Sequence, residues 1–111
     1  MAFVESPARI RARELVGMLE RATGPDNDID IQICQLMNRS VAMNQFTRSI
    51  DDAKRLVKRY YQWGMRQYLT GDWGAYVEVD GDIKGFVWAV HRCEPIALAM
   101  AALKSHIAEM Q

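Results

Sequence analysis

The sequence predicts an α+β domain, a three-stranded antiparallel sheet flanked by about four helices in a layered α/β/α sandwich, with the elements in the order ααα-βββ-α. Three observations predict it. Helix starts and stops punctuate the first half of the chain, alternating segments joined by tight-turn dipeptides run from Tyr61 to Arg92, and a proline-led apolar stretch closes it. At 111 residues this is the length of one domain that buries a core without staples.

The elements follow in order. Ser6-Pro7 opens a helix over about 7–22, the serine capping and the proline at the first position, where its missing N–H costs nothing. Ala8, Ala12, Leu15, Leu19 and Ala22 line its inner face, and Gly24-Pro25 stops it. Residues 26–37 fit two periods: Ile29, Ile31 and Ile33 alternate as in a strand, while Ile29, Ile33, Leu36 and Met37 share a helical face. The acidic start Asp26-Asn27-Asp28 favours the helix, because carboxylates suit the positive end of its dipole. A loop over Asn38–Gln45 leads to Ser49 and Asp52, which have capping-box spacing ahead of a third helix over about 50–59. Its inner stripe is Ile50, Ala53, Leu56, Val57 and Tyr60, with Lys54, Arg55, Lys58 and Arg59 facing solvent.

Strands are expected over about 61–69, 73–79 and 83–92, turning at Thr70-Gly71-Asp72 and Asp80-Gly81-Asp82. The final helix, about 95–110, carries Ile96, Met100, Leu103, Ile107 and Met110 on one seam. Alanines and leucines make its first half apolar all round, which requires cover on more than one side, from the sheet or from a second subunit.

Composition bounds the function. Lys plus Arg and Asp plus Glu are equal at 14 each, so no global field draws nucleic acid or an anionic membrane, and neither is favoured as a partner. Cys34 and Cys93, far apart among apolar neighbours, suit reduced thiols. With no signal-like N-terminus and no membrane-length apolar run, a cytoplasmic location is expected.

The stretch Phe46-Thr47-x-Ser49-Ile50-Asp51-x-Ala53-x-x-Leu56-Val57 resembles the phage ABA sandwich domain, a family of small phage and prophage proteins. Leu15 to Asp26, with its Gly-Pro-Asp link, is similar to that family's first helix, and Glu94 to Lys104 to its proline-led last helix. The resemblance spans roughly Leu15 to Ile107 and departs at Lys54–Tyr61, where a longer basic helix end replaces a short link. It implies a helix over 26–37 and a phage or prophage origin, and it brings no biochemical activity with it.

Asp26, Asp28 and Asp30 have the spacing of a calcium loop, but Ile31 and Met37 stand where its glycine and bidentate glutamate belong, which leaves helix-start acids. His91 and Cys93, even with His106 and Cys34, lack zinc-ligand spacings, no nucleophile motif occurs, and no cofactor is implied. The most suggestive group is a basic cluster interleaved with aromatics, with Arg48, Arg55, Arg59, Trp63, Arg66 and Tyr68 as the candidates for a ligand or partner. The plainer reading of that cluster is a solvated helix face. Trp73, Tyr76, Phe86 and Trp88 read as core or cross-strand partners, a reading that reverses if one sheet face is open. The function expected is that of a small non-catalytic accessory protein that binds a host macromolecule, in takeover or counter-defence. The alternatives are a nucleotide-binding or nucleotide-sequestering oligomer and a structural assembly protein.

Overall fold

In a computed structural model of the chain, which describes residues 5–40, 44–80 and 84–110, the first half folds as helices ended by their own caps. Helix α1, Pro7–Arg21, starts on Ser6, whose hydroxyl accepts from the Arg9 amide, and buries Ala12, Leu15, Val16 and Leu19. Ala8 departs from the expected inner face and is exposed. Helix α2, Asn27–Met37, is capped by Asp26, whose carboxylate accepts from the amides of Asp28 and Ile29. The acidic start therefore decides the ambiguous period in favour of helix. Asn38 closes α2 in the left-handed conformation (φ 55°), which asparagine tolerates better than most residues.

Helix α3, Ile50–Lys54, is shorter than the helix expected to reach Arg59. Its Ser49 cap forms as the spacing predicts, but Asp52 completes no reciprocal box; its carboxylate accepts instead from the Gln45 amide. Beyond Lys54 the amides of Arg55, Leu56 and Val57 bond to carbonyls three residues back, a tightened turn. Continuing the helix would stack Lys54 on Lys58 and Arg55 on Arg59, like charges four apart. The chain instead drops Leu56 into the core and leaves Tyr60, expected on the inner stripe, 87% exposed with φ 72°.

Strands β1 (Trp63–Gln67), β2 (Trp73–Asp80) and β3 (Lys84–His91) form one antiparallel sheet in the order β1-β2-β3. Strand β1 is shorter at both ends than the expected 61–69, because Lys58–Tyr61 and Tyr68–Asp72 are occupied by turns. The turn expected at Asp80-Gly81-Asp82 lies partly outside the described residues, as does the expected start of β3 at Ile83. The register sets Val77 between Trp63 and Val87, and Tyr76 between Gly64 and Trp88. Helix α4, Glu94–Glu109, follows.

The class, the sheet and the order of elements are those expected. The layers stack with α4 in the middle. Every residue from Ile96 to Leu103 is buried, because α4 lies under β2 and β3 on one side and against α1 and α3 on others. Its alanines bring it close to Ala75, Val77 and Ala89 of the sheet, and the Ser105 hydroxyl donates to the Glu78 carbonyl at 2.6 Å. The helix expected to need cover on several sides finds it within the chain. The opposite face of the sheet carries no helix among the described elements, and so lacks the layer that a complete sandwich would place there.

Candidate partner interface: the open face of the sheet

Because side chains alternate along a strand, the sheet has two unlike faces. Odd-numbered positions point to α4, and on β3 from Gly85 to Val90 these are Gly85, Val87 and Ala89, none larger than valine. Even-numbered positions point away, and there β3 places Phe86, Trp88 and Val90, each about half exposed (47%, 52% and 51%). The alanine-rich α4 packs closely on Ala75, Val77 and Ala89, and the large residues of β3 take the outer face.

Tyr76 of β2 sits at the centre of that face. Its ring meets Phe86 edge-on at 5.4 Å and Trp88 at 5.0 Å between centroids, within the range where aromatic pairs attract beyond simple burial. The other side of Tyr76 rests on Gly64 of β1, where a Cβ would stand 2.5 Å from the ring. Tyr68 repeats the arrangement over Gly74, where a Cβ would stand 2.7 Å from its hydroxyl. Two glycines thus form the floor on which two tyrosines lie flat. Arg66 stacks over Tyr68 at 5.1 Å, and at the opposite end of the strands Glu78 accepts from the Gln62 amide. The result is an aromatic centre with one basic and one acidic residue at its margins.

The structure places the six candidate residues in different settings. Arg66 and Tyr68 lie on the open face. Trp63 points to the opposite face, with the Lys54 ammonium 5.6 Å from its ring centroid. Arg55 pairs with Asp52 at 3.3 Å, Arg59 lies over the exposed Tyr60 at 5.1 Å, and Arg48 is exposed in the turn before α3. The helical face that was to gather the basic residues does not form past Lys54. Of the aromatics read as core or cross-strand partners, Trp73 packs against the interior and Tyr76 and Trp88 are cross-strand partners, while Tyr76, Phe86 and Trp88 lie on the open face, the condition under which the core reading reverses. Val90, outside the sequence-derived candidates, joins them on that face. A signal for the face existed in the contrast along β3 between small residues at 85, 87 and 89 and large ones at 86, 88 and 90.

The polar residues considered for chemistry are occupied structurally. His91 Nε2 meets the Ala22 carbonyl at 2.8 Å while Nδ1 accepts from the Cys93 amide at 2.9 Å, so the ring joins β3 to the end of α1. His106 Nε2 bonds the Leu56 carbonyl at 2.6 Å, and burial lowers its pKa. Cys34 is buried, which raises its thiol pKa, and Cys93 is partly exposed; both are free. Asp30, 4% exposed, accepts from the Thr47 amide (2.8 Å) and hydroxyl (3.0 Å); burial raises its pKa, and those two bonds oppose the rise. Glu109 accepts from Lys58 at 2.9 Å and from the Tyr61 hydroxyl at 2.8 Å; the Tyr61 pKa is pushed up to about 12, chiefly by that bond. Among the described residues no group of three His, Cys, Asp or Glu side chains is placed to hold a metal ion, and no helix is long and apolar enough to cross a membrane.

No family model matches the chain, and no curated protein or solved structure matches it.

Proposed function

We propose that the chain is a small non-catalytic accessory protein, of the phage or prophage kind its sequence resembles, that acts in the host cytoplasm by binding a host protein through the outer face of the sheet. One observation carries this reading. Phe86, Trp88 and Val90 stand half exposed around Tyr76, on a face that no described helix covers. An apolar residue alone on a surface needs no explanation, but a contiguous aromatic group with charged margins has the make-up of an interface core and rim. Trp and Tyr are also the residues that most often dominate binding energy.

The test is capture of partners from host lysate with the wild type and with Trp88→Ser, followed by reconstitution of any identified pair from purified components. Trp88→Ser should abolish the reconstituted complex while the variant stays folded. A complex that survives the substitution, or substrate turnover lost on a pocket substitution, would refute the reading. A second reading, nucleotide binding, keeps support from one contact, the Arg66 guanidinium stacked over Tyr68 on the same face. A thermal-shift panel of nucleotides tests it, since a bound ligand raises the melting temperature.

A further inference from the structure

Strand β3 forms one edge of the sheet, so its outward backbone groups face no other strand among the described residues. The parity of the ladder is fixed by one bond. Glu78 donates its amide to Gln62, so even positions of β2 bond toward β1 and odd ones toward β3. In β3 the odd positions therefore bond to β2, and Phe86, Trp88 and Val90 present their N–H and C=O groups at the edge. One of these carbonyls, that of Trp88, is bonded at 3.0 Å by the Lys104 ammonium, an exposed contact. A lysine on an edge is a common guard against unplanned pairing, and it swings aside at small cost.

Beneath this edge runs a mainly apolar groove of about 460 Å³, floored by Val16, Gly17, Val87, Ile107 and Ala108. It lies between α1, which lines it with Val16 and Gly17, and Val87 of β3 with Ile107 and Ala108 of α4. A strand added to β3 would thus meet three fixed demands. It must pair its backbone with Phe86, Trp88 and Val90, lower small aliphatic side chains into the groove, and continue the aromatic surface above.

We infer that the occupant of this edge is a second copy of the chain, with the two β3 strands pairing antiparallel about a two-fold axis near Val87. Strand β3 itself has the pattern the edge requires. Gly85, Val87 and Ala89 are small and face the α4 side, with Val87 lining the groove, while Phe86 and Trp88 face outward and come opposite each other across the axis, an aromatic cross-strand pair. From Gly85 to Val90 the strand has neither a charge nor a proline, the usual devices that stop such pairing. The product is a six-stranded sheet in which both aromatic faces join on one side. It stands apart from the host-partner reading, because it uses the edge and the groove, whereas that reading uses the outer face.

Sedimentation velocity and native mass on the full chain test it, with hydrogen exchange read over a dilution series. The wild type should be dimeric, and the amides of Phe86, Trp88 and Val90 should exchange more slowly as concentration rises, while those of Val87 and Ala89 do not change. Gly17→Leu puts a side chain into the groove on a helix that gains from losing glycine, so it should leave a folded monomer melting at or above the wild type. Lys104→Met frees the Trp88 carbonyl and should move the dissociation midpoint to lower concentration. A wild type monomeric up to its solubility limit overturns the inference, as does a dimer without concentration-dependent protection of the three edge amides. If Gly17→Leu fails to fold, Lys104→Met and the amide pattern decide alone. Partner binding measured on the Gly17→Leu monomer separates the two readings, so either can fail while the other stands.

Discussion

Thr47 is the residue whose removal the structure prices most clearly. It is fully buried, and its hydroxyl accepts from the Asp26 amide at 2.8 Å and donates to the Asp30 carboxylate at 3.0 Å, tying the α3 approach to the first turn of α2. Thr47→Val keeps the shape and deletes both bonds. A buried N–H left without a partner costs about 1–3 kcal/mol, and a hydrogen bond to a charged group contributes about 1.5–3 kcal/mol. The two losses share one hydroxyl, so the expected destabilisation is about 3 kcal/mol, a fall in melting temperature on the order of 10 °C for a chain of this size. Asp30→Asn is the informative partner. Its carbonyl oxygen still accepts from the Thr47 amide, its amide nitrogen donates to the Thr47 hydroxyl, and that hydroxyl can donate to the Asp26 carbonyl, 3.3 Å away. Because burial raises the Asp30 pKa, the favourable contribution of its protonated form is complete below the unfolded value and is lost as pH rises through the higher folded value. Asp30→Asn should therefore match or exceed the wild type at neutral pH and lose that advantage as pH falls below the ordinary aspartate range. Urea unfolding of the two single variants and the double variant at several pH values measures all of this. A Thr47→Val cost below about 0.5 kcal/mol, smaller than an ordinary buried hydrogen bond, would refute the assigned bonding.

Further outcomes follow from the sheet and the C-terminal helix. Gly64→Ala forces the Tyr76 ring off its glycine floor, an overpacking cost of about 1–3 kcal/mol that should appear in thermal melts together with altered near-ultraviolet dichroism. Ala97→Leu, in the fully buried stretch of α4, should be at least as costly by chemical denaturation, because it forces three more carbon atoms into a site with no exposed surface. In a spectrophotometric alkaline titration one tyrosine should ionise near pH 12 and vanish in Tyr61→Phe. The stability held by the Tyr61–Glu109 bond is fully present below the ordinary tyrosine pKa and is lost as pH rises through the folded value of about 12. His106, held neutral by burial, should titrate below a free histidine in NMR, and its contribution is present above the ordinary histidine pKa and lost as pH falls through the lower folded one.

Much of the fold was legible because local signals and tertiary packing agree. Ser6, Asp26 and Ser49 cap the helices they precede, since a short polar side chain next to an unpaired amide needs no distant partner. The strands and the Thr70-Gly71-Asp72 reversal follow from alternation and turn chemistry that act over a few residues. The end of α3 was not legible in the same way. Periodicity through Tyr60 favoured a longer helix, whereas the burial of Leu56 and the anchoring of Lys58 and Tyr61 on Glu109, half the chain away, favour the turn. The dispersal of the basic-aromatic cluster has the same origin, because that grouping required a helix which distant contacts end early.

By itself the sequence determined the class, the order of the elements, their caps, and the need for cover around the last helix, all of which depend on neighbours within a few residues. Only the tertiary structure decided which layer lies in the middle and which sheet face is left open. A strand that is apolar at every position reads the same from either side. The choice falls to the close fit of an alanine-rich helix against Ala75, Val77 and Ala89, which takes the small side chains inward and leaves Tyr76, Phe86, Trp88 and Val90 outside.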